Sequence, residues 1–286
     1  MKGPIKYYGG KALMTDQLLA QFPDSYAVYI EAFGGGGSLL FAKPQTGSEI
    51  YNDLGENVYL LFKVLSDDSL FAEFRRRLDL SYYSAQLREE YKERLDTDKS
   101  LSLLDRAYMF FYVSRSSFNS VGGFSVTYRQ TIRNMARSTA DFLGTIDRLP
   151  EIHQRLSSVI IEHKDALELL EKYNAPDVFM YLDPPYVKKT RKSNQTYECE
   201  LSDFDHERLV DLCLKFKGKI LLSGYDNPIY DRLLPTFEKI ELSDPNNPNA
   251  REFVWRNYSL NTKTTTKTET SNDSKTVDIL QYFIFE

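Results

Sequence analysis

Apolar residues follow two spacings along this chain, and together they predict a mixed α/β protein. Short apolar runs, which are typical of buried strands, alternate with segments whose apolar residues recur every three or four positions, as in amphipathic helices. The predicted strands lie at residues 26–33, 48–54, 158–162, 220–223, 237–242, 253–260 and 277–285, and at the start of 178–186. The predicted helices lie at residues 12–22, 56–65, 166–173, 204–216 and 227–234, and a further helix opens at residues 39–42. Strands that alternate with helices favour an open α/β sheet.

Residues 66–156 interrupt this alternation. Their apolar residues recur at helical spacing, as at Leu103, Ala107 and Phe111. We therefore predict an inserted, mainly helical domain at residues 66–156, and we assign residues 1–65 and 157–286 to the domain that contains the sheet. The Thr/Lys-rich residues 261–275 are expected to form an exposed excursion.

The stretch 178–186, with the sequence VFMYLDPPY, places an acid at the end of a buried strand. Pro184 and Pro185 stop the strand because proline has no N–H to donate. The carboxylate of Asp183 should then face the crevice at the carboxyl edge of the sheet, where open α/β sheets bind ligands. Asp183 and the Pro184 carbonyl could accept both hydrogens of an exocyclic amino group while Tyr186 stacks on the ring, as in enzymes that flip a base. A strand-ending turn with a capping aspartate is the simpler alternative.

Two further strand ends predict a ligand site at the same edge. The strand at 26–33 ends in Phe33 and runs into four glycines, 34–37, whose backbone can approach a ligand closely before a helix begins. Asp53 ends the next strand, where its carboxylate could accept hydrogen bonds from both ribose hydroxyls of a nucleoside; capping of the helix at 56–65 is the alternative. The glycine spacing matches neither a dinucleotide fingerprint nor a P-loop.

The N-terminal segment KYYGGK is a weaker candidate. Its two glycines form a flexible turn that could lay Tyr7 or Tyr8 over a ligand ring and bring Lys11 to a carboxylate. A surface loop explains the same residues equally well.

Composition excludes several classes of protein. The chain has 286 residues, enough for a full core, with two cysteines and three scattered histidines. These numbers favour neither a disulfide framework nor a metal site, and they suit a reducing, cytoplasmic compartment. We also expect no membrane span, because no apolar run is long enough.

The net charge of −5 conceals two basic stretches. Residues 106–140 contain five arginines and no acidic residue, among them Arg115 and Arg129. Residues 187–197 are again free of acids and include Lys188, Lys189 and Arg191. Two cationic surfaces on an acidic body are a plausible footprint for phosphates, although ordinary solvated faces would have the same composition.

Seven segments, in their order along the chain, resemble one known family. They are KYYGGK, EAFGGGGSLL, YNDLGENV, VIIEHKDALELL, YLDPPYV, KILLSGY and REFVWRNY. This sequence is similar to the Dam-type (D12 class, alpha-group) DNA adenine-N6 methyltransferases over nearly its whole length. The resemblance implies a Rossmann-like S-adenosylmethionine-dependent methyltransferase sheet with an inserted target-recognition domain at residues 66–156.

The resemblance also implies roles for individual residues. Asp183, Pro184 and Tyr186 would hold the adenine in a bacterial or phage enzyme that methylates double-stranded DNA. S-adenosylmethionine would be bound by Tyr7, Lys11, Phe33, Gly34, Gly36, Asp53, Asp165 and Asp183. Asp165 would lie beside the adenine of the cofactor, or it would only cap the helix that follows.

DNA contacts are expected from the loop at residues 114–128 and from the basic stretch at residues 187–197. Arg115 and Asn119 could read base edges, and Phe118 or Phe124 could open a base step. Arg129, Lys188, Lys189 and Arg191 complete the predicted DNA-binding set. Ser117 and Val121 stand where the GATC-reading members carry arginine, so the resemblance does not extend to GATC specificity.

Three other functions remain compatible with the sequence. The chain could methylate an RNA adenine or a protein amide, or it could be a non-catalytic DNA-binding relative. The intact Asp183, Tyr186, Asp53 and glycine turn favour an enzyme. A dinucleotide oxidoreductase is the weakest alternative, because the required glycine register is missing. A monomer or a weak dimer is expected.

Overall fold

The computed structural model describes residues 1–7, 9–118, 122–186, 201–243 and 251–260. The strands are β1 (Val28–Glu31), β2 (Ser48–Asn52), β3 (Thr131–Ile132), β4 (Met135–Ala136), β5 (Val159–Glu162), β6 (Val178–Leu182), β7 (Lys219–Tyr225), β8 (Glu238–Ser243) and β9 (Arg251–Arg256). The helices are α1 (Thr15–Leu19), α2 (Ser38–Ala42), α3 (Glu56–Ser66), α4 (Asp68–Asp79), α5 (Ala85–Thr97), α6 (Leu103–Ser116), α7 (Arg137–Leu156), α8 (Ala166–Lys172) and α9 (Asp203–Lys215). No helix in these ranges is both long and apolar enough to cross a membrane.

The main sheet has seven strands in the order β5-β2-β1-β6-β7-β9-β8. Strands β5, β2, β1, β6 and β7 are parallel, and β9 runs antiparallel to both of its neighbours. The chain passes from β1 to β2 on one side and returns later to β6 on the other, so the strand order reverses between β1 and β6. Open α/β sheets bind ligands at such a reversal. The prediction of a Rossmann-like α/β sheet is confirmed.

Strand β6 shows why the stretch at residues 178–186 folds as predicted. All five of its residues are buried, as expected for a central parallel strand that is covered on both faces. The strand ends at Leu182, immediately before Asp183 and the two prolines. Asp183 therefore lies just beyond the carboxyl end of β6, beside the end of β1.

Several boundaries differ from the sequence prediction. Strand β1 ends at Glu31 because the chain already turns at Phe33 toward the glycines, and the expected helix at 227–234 is a 3₁₀ turn, Tyr230–Leu233. The predicted strand at 277–285 and the excursion at 261–275 lie outside the described residues.

The insertion at residues 66–156 is mainly helical, as expected, but it also contains a hairpin that the pattern did not predict. Strands β3 and β4 pair antiparallel, and Arg133 and Asn134 form the turn with φ values of 53° and 60°. The insertion shares one core with the sheet, since Phe111 and Phe142 belong to the same buried cluster as Phe179. The division into two domains stays a prediction.

Asn52 connects three strand ends at the carboxyl edge of the sheet. Its side chain is fully buried, and Nδ2 donates to the carbonyls of Ala32 at 2.8 Å and Lys164 at 3.0 Å. Oδ1 accepts the N–H of Lys164 at 2.9 Å. The segment after β1 and the segment after β5 are therefore both fixed to the end of β2.

A proline inside α7 is compensated by a neighbouring helix. Pro150 has no N–H, so the carbonyl of Ile146 loses the donor that a helix normally provides. Arg75 of α4 replaces this donor, because its Nη1 lies 2.9 Å from the Ile146 carbonyl oxygen. Helix α7 thus continues past the proline while bonded to α4.

Replacing Arg75 with alanine should lower the free energy of unfolding by about 1–3 kcal/mol, because a partly buried carbonyl loses its partner. Chemical denaturation measures this loss, with Arg76→Ala as the control, since Arg76 is exposed and pairs only with Glu73. In a Pro150→Ala background the new N–H should reduce the loss. Equal losses in both backgrounds would contradict this account of the proline.

Exchanging Asn52 for aspartate should destabilise the carboxyl edge of the sheet. The carboxylate can still accept from Lys164, but it cannot donate to the two carbonyls, so the free energy of unfolding should fall by about 1–3 kcal/mol. Thermal unfolding tests this, and Asn174→Asp, at a site whose hydrogen bonds are solvent-exposed, is the control. An Asn52→Asp protein as stable as its control would refute the bracing role.

Candidate active site

A cleft opens at the carboxyl edge of β1, β2 and β6, with an empty volume of about 970 Å³, part of it open to solvent. All of the predicted cofactor residues line this cleft, namely Tyr7, Lys11, Phe33, Gly34, Gly36, Asp53, Asp165 and Asp183. Pro184 lines it as well. In the described part of the chain, no cluster of His, Cys, Asp and Glu could hold a metal ion. The structure therefore brings together residues that the sequence distributes over four strand ends and the N-terminus.

The glycine turn has no room for side chains. A Cβ atom on Gly34 would lie 2.1 Å from the ring of Tyr51, and Gly35 adopts a φ of +49° with the ring of Tyr7 against it. The Tyr51 hydroxyl donates to the Gly35 carbonyl at 2.6 Å. These contacts press the backbone of the turn against β2 and fix its path along the cleft.

Asp53 holds the glycine turn in addition to lining the cleft. Its Oδ2 accepts the N–H of Gly35 and its Oδ1 accepts the N–H of Gly55, both at 2.7 Å. Helix α3 begins after Gly55 without a side-chain cap, so the capping alternative for Asp53 is wrong. A carboxylate oxygen can accept more than one hydrogen bond, so the predicted role of Asp53 at ribose hydroxyls stays a prediction.

Asp165 does cap a helix. Its carboxylate accepts the N–H of Leu167 at 2.8 Å, at the start of α8. Because Asp165 also lines the cleft, the cap and the predicted place beside the cofactor are compatible. The cap fixes the carboxylate at the rim.

Sequence reasoning missed Glu31, an acid that ends β1 and lines the cleft. Its carboxylate accepts the N–H of Leu40 at 2.8 Å and the hydroxyl of Tyr29 at 3.0 Å. One N–H in the first turn of α2 is thus bonded within the protein. Burial raises the pKa of Glu31 to about 8, although both hydrogen bonds oppose the shift. Its position immediately before the glycine turn was the available signal.

The ammonium group of Lys11 lies among four oxygens of the protein. Its Nζ is 2.8 Å from Asp183 Oδ1, 3.2 Å from Glu252 Oε1, 2.6 Å from the Tyr186 hydroxyl and 3.1 Å from the Gly9 carbonyl. The Lys11 side chain is only 6% exposed, so these contacts replace water. The sequence predicted that the turn could bring Lys11 to a carboxylate, and in the structure Lys11 meets two carboxylates of the protein.

This environment shifts the pKa values of the charged groups. Burial raises the pKa of Asp183 to about 6; Glu252 adds to the rise and Lys11 opposes it. Burial disfavours the ammonium of Lys11, but Asp183 and Glu252 outweigh it and raise the pKa of Lys11 well above its usual value. Sequence reasoning also missed Glu252, although the segment REFVWRNY contains it.

Tyr186 is more enclosed than its predicted role suggests. The side chain is buried, its ring centroid lies 4.4 Å from that of Tyr225, and it is not among the residues that line the cleft. Its hydroxyl donates to Glu252 Oε1 at 2.5 Å. Stacking of Tyr186 on a base stays a prediction.

The predicted loop at residues 114–128 begins later than expected. Arg115 lies in the last turn of α6 and is not in a loop, because the helix extends to Ser116. Its Nη2 lies 3.4 Å from the Asp141 carbonyl, and burial, followed by the charge of Arg148, lowers the pKa of Arg115 to about 10. Arg115 is half-buried in this position, and its role in reading bases stays a prediction.

The other predicted DNA contacts divide into three groups. Phe118 and Arg129 are exposed, whereas Phe124 packs on Tyr83 with ring centroids 4.7 Å apart. The remaining four residues, Asn119, Lys188, Lys189 and Arg191, lie outside the described residues. Phe118 and Arg129 are thus the predicted contacts that the structure places at the surface.

Arg88, which sequence reasoning missed, forms hydrogen bonds to both Ser117 and Gly122 in the predicted loop at residues 114–128. Its Nε donates to the Ser117 hydroxyl at 3.0 Å and its Nη2 to the Gly122 carbonyl at 2.6 Å. Ser117 stands where the GATC-reading members carry arginine, and here it is buried. An arginine from α5 therefore braces this position from within.

Comparison with known proteins agrees with this geometry. The family model for D12 class N6 adenine-specific DNA methyltransferases matches residues 7–245. The chain is 26% identical over 261 residues to the Type II methyltransferase M.MjaIII of Methanocaldococcus jannaschii, which covers 82% of this chain and 88% of that protein. It is 25% identical over 251 residues to the Type II methyltransferase M.CviBI of Paramecium bursaria Chlorella virus NC1A, covering 84% and 90%. It is 24% identical over 270 residues to the DNA adenine methylase of Haemophilus influenzae, covering 87% and 90%.

The family match extends over most of the chain, and it includes the glycine turn, Asp53 and the Asp183 segment that meet in the cleft. The protein belongs to the D12 class of N6 adenine-specific DNA methyltransferases.

Proposed function

We propose that this protein is a site-specific methyltransferase that uses S-adenosylmethionine to methylate the N6 amino group of an adenine flipped out of double-stranded DNA. The observation that carries the proposal is the meeting of Asp183 and Pro184 with the glycine turn and Asp53 in one cleft. One end of this cleft offers acceptors for an amino group, and the other end offers a close backbone and a carboxylate. Both halves of the reaction are thus provided for at one sheet edge.

The cleft suits the chemistry of the proposed donor. S-adenosylmethionine supplies, when bound, the methyl group of its sulfonium centre. The glycine turn lets a ligand approach the backbone, and the carboxylate of Asp53 lines the cleft, where it could accept from ribose hydroxyls. The Asp183 carboxylate lines the cleft and, when it is ionised, favours a cationic ligand. These residues would hold the donor, with Tyr7 and Phe33 as its aromatic neighbours.

Asp183 is held so that one oxygen remains for the base. Among the described residues, its contact with Lys11 uses Oδ1, and Oδ2 would accept an N–H from the adenine amino group. The carbonyl of Pro184 would accept the second N–H. Two fixed acceptors orient the nitrogen lone pair, and this positioning is the main contribution that we assign to these residues.

The described surface of the insertion supports a duplex DNA substrate. Phe118 is 63% exposed and Tyr128 is 68% exposed, and Arg129 lies beside the Tyr128 ring at 5.7 Å from its centroid. Exposed aromatic rings beside arginines can contact unstacked bases and the phosphates around them. The surface does not specify which DNA sequence is read.

Replacing Asp183 with alanine should reduce methyl transfer to DNA by about 100-fold or more, because the amino group loses its charged acceptor. Binding of S-adenosylmethionine, measured by calorimetry, should weaken far less than transfer, because the glycine turn and Asp53 are unchanged. Asp177→Ala is the matched control, since Asp177 is exposed and lies next to the opposite end of the same strand. The assay is incubation with unmethylated genomic DNA, followed by mapping of N6-methyladenine, which also reveals the target motif. Normal turnover by the Asp183→Ala protein would refute the assignment.

The reaction should lose rate in acid. Asp183 accepts an N–H best when it is ionised, and burial raises the pKa of this carboxyl to about 6. Below that pH, kcat/KM should fall by about tenfold for each pH unit, and it should be constant above it until another group titrates. A profile without a limb near pH 6 would contradict the requirement for an ionised Asp183.

A further inference from the structure

Glu252 is a buried acid outside the lining of the cleft. It is the second residue of β9, where it pairs with Tyr225 of β7 and Leu242 of β8. Its side chain is 8% exposed, and the next residues of the strand, Phe253, Val254 and Trp255, are core residues. A buried carboxylate is costly unless it is paired and hydrogen-bonded, so its partners define its role.

The partners of Glu252 are two residues of the candidate active site. Oε1 accepts the hydroxyl proton of Tyr186 at 2.5 Å and lies 3.2 Å from Lys11 Nζ. Lys11 in turn donates to the oxygen of the same tyrosine at 2.6 Å. The Tyr186 hydroxyl therefore donates to an anion and accepts from a cation, which is the strongest pairing that a phenol can make.

This arrangement fixes the ring of Tyr186 from both ends. The backbone after Pro184 and Pro185 holds the near end, and the hydroxyl is bound at the far end by Lys11 and Glu252. Tyr225, which lies opposite Glu252 in the β7–β9 pair, contacts the ring itself. One pair of strands thus supplies both the anchor for the hydroxyl and a wall for the ring.

We propose that Glu252 is a positioning residue for methyl transfer, which acts by holding the Tyr186 ring and the Lys11 ammonium beside Asp183. This inference rests on the proposed function, because it places the adenine at Asp183, and it adopts the predicted stacking of Tyr186 on that base. Glu252 is not a catalytic residue, since it does not line the cleft. Its effect reaches the substrate through its two partners.

The charge of Glu252 should also be visible in the pH dependence. Asp183 faces Lys11, Glu252, Glu31, Tyr181 and Tyr186. Glu252 is one of the groups that raise the pKa of Asp183, and Lys11 opposes it. Removing the charge of Glu252 while keeping its shape should therefore move the acid limb of kcat/KM to lower pH.

Two substitutions separate the hydrogen bonds of Glu252 from its charge. Glu252→Ala should lower the single-turnover rate of DNA methylation by roughly 10- to 100-fold, because the ring loses its anchor. Dissociation constants for S-adenosylmethionine and DNA should change by less than about threefold, since Glu252 is outside the cleft. Glu252→Gln keeps an acceptor, so it should recover most of the rate and show the shifted acid limb. Glu241→Gln, at an exposed acid on β8 that pairs with Arg251, is the control and should behave as the wild type.

A double-mutant cycle tests whether Glu252 acts through the tyrosine. Tyr186→Phe keeps the ring and removes the hydroxyl, so adding Glu252→Ala to it should cost much less than in the wild type. Fully multiplicative effects, or a Glu252→Ala protein with the wild-type rate, would overturn the proposal. If Glu252→Ala fails to fold in thermal unfolding, the rate and acid limb of Glu252→Gln decide the matter. A wild-type protein that binds S-adenosylmethionine but methylates no DNA would instead overturn the proposed function.

Discussion

The buried ammonium of Lys11 is the interaction on which the active site depends. It joins the N-terminal segment to Asp183 after β6 and to Glu252 in β9, which are distant in sequence. Removal of Lys11 would leave two buried carboxylates without their cation, which is costly, whereas removal of either carboxylate leaves Lys11 paired with the other. The tyrosine hydroxyl between Lys11 and Glu252 completes the set. The position of the catalytic acid is therefore set by electrostatics as well as by the strand that carries it.

The rest of the cleft follows the same principle, in which polar groups of the protein satisfy one another before a ligand arrives. Asp53 holds two backbone N–H groups, Asn52 fixes two loops, and Glu31 takes the N–H of Leu40. Such a cleft requires little rearrangement to receive a ligand, which lowers the entropic cost of binding. The cost is borne by buried acids, as the raised pKa values of Glu31 and Asp183 show.

The sequence predicted those parts of the site that depend on local chemistry. Two prolines after an apolar run determine where β6 ends, and four successive glycines identify a turn without side chains, so Asp183 and the glycine turn could be located in advance. The positions of Glu252 and Arg88 could not, because each depends on which strand or helix lies beside it in the fold. An acid in the alternating β9 segment resembles any solvent-facing strand residue until its neighbours are known. The prediction that Arg115 lies in a loop was wrong for a related reason. A helix continues through polar residues when its packed face supports it, and α6 therefore extends to Ser116.

The N-terminal segment joins the end of α6 to the candidate active site. Lys6 Nζ donates to the carbonyls of Arg115 and Ser117, and the Ser114 hydroxyl donates to the carbonyl of Lys6. The same short stretch of chain then passes Tyr7 against the glycine turn and ends at Lys11. A positively charged side chain at the C-terminal end of a helix is stabilised by the carbonyl groups there, so the contact of Lys6 with the end of α6 is favourable. Lys6 is held at the end of α6 and Lys11 is held at Asp183. A displacement of α6 must therefore alter either the hydrogen bonds of Lys6 or the position of Lys11. The end of α6 and the position of Asp183 are thus parts of one connected structure.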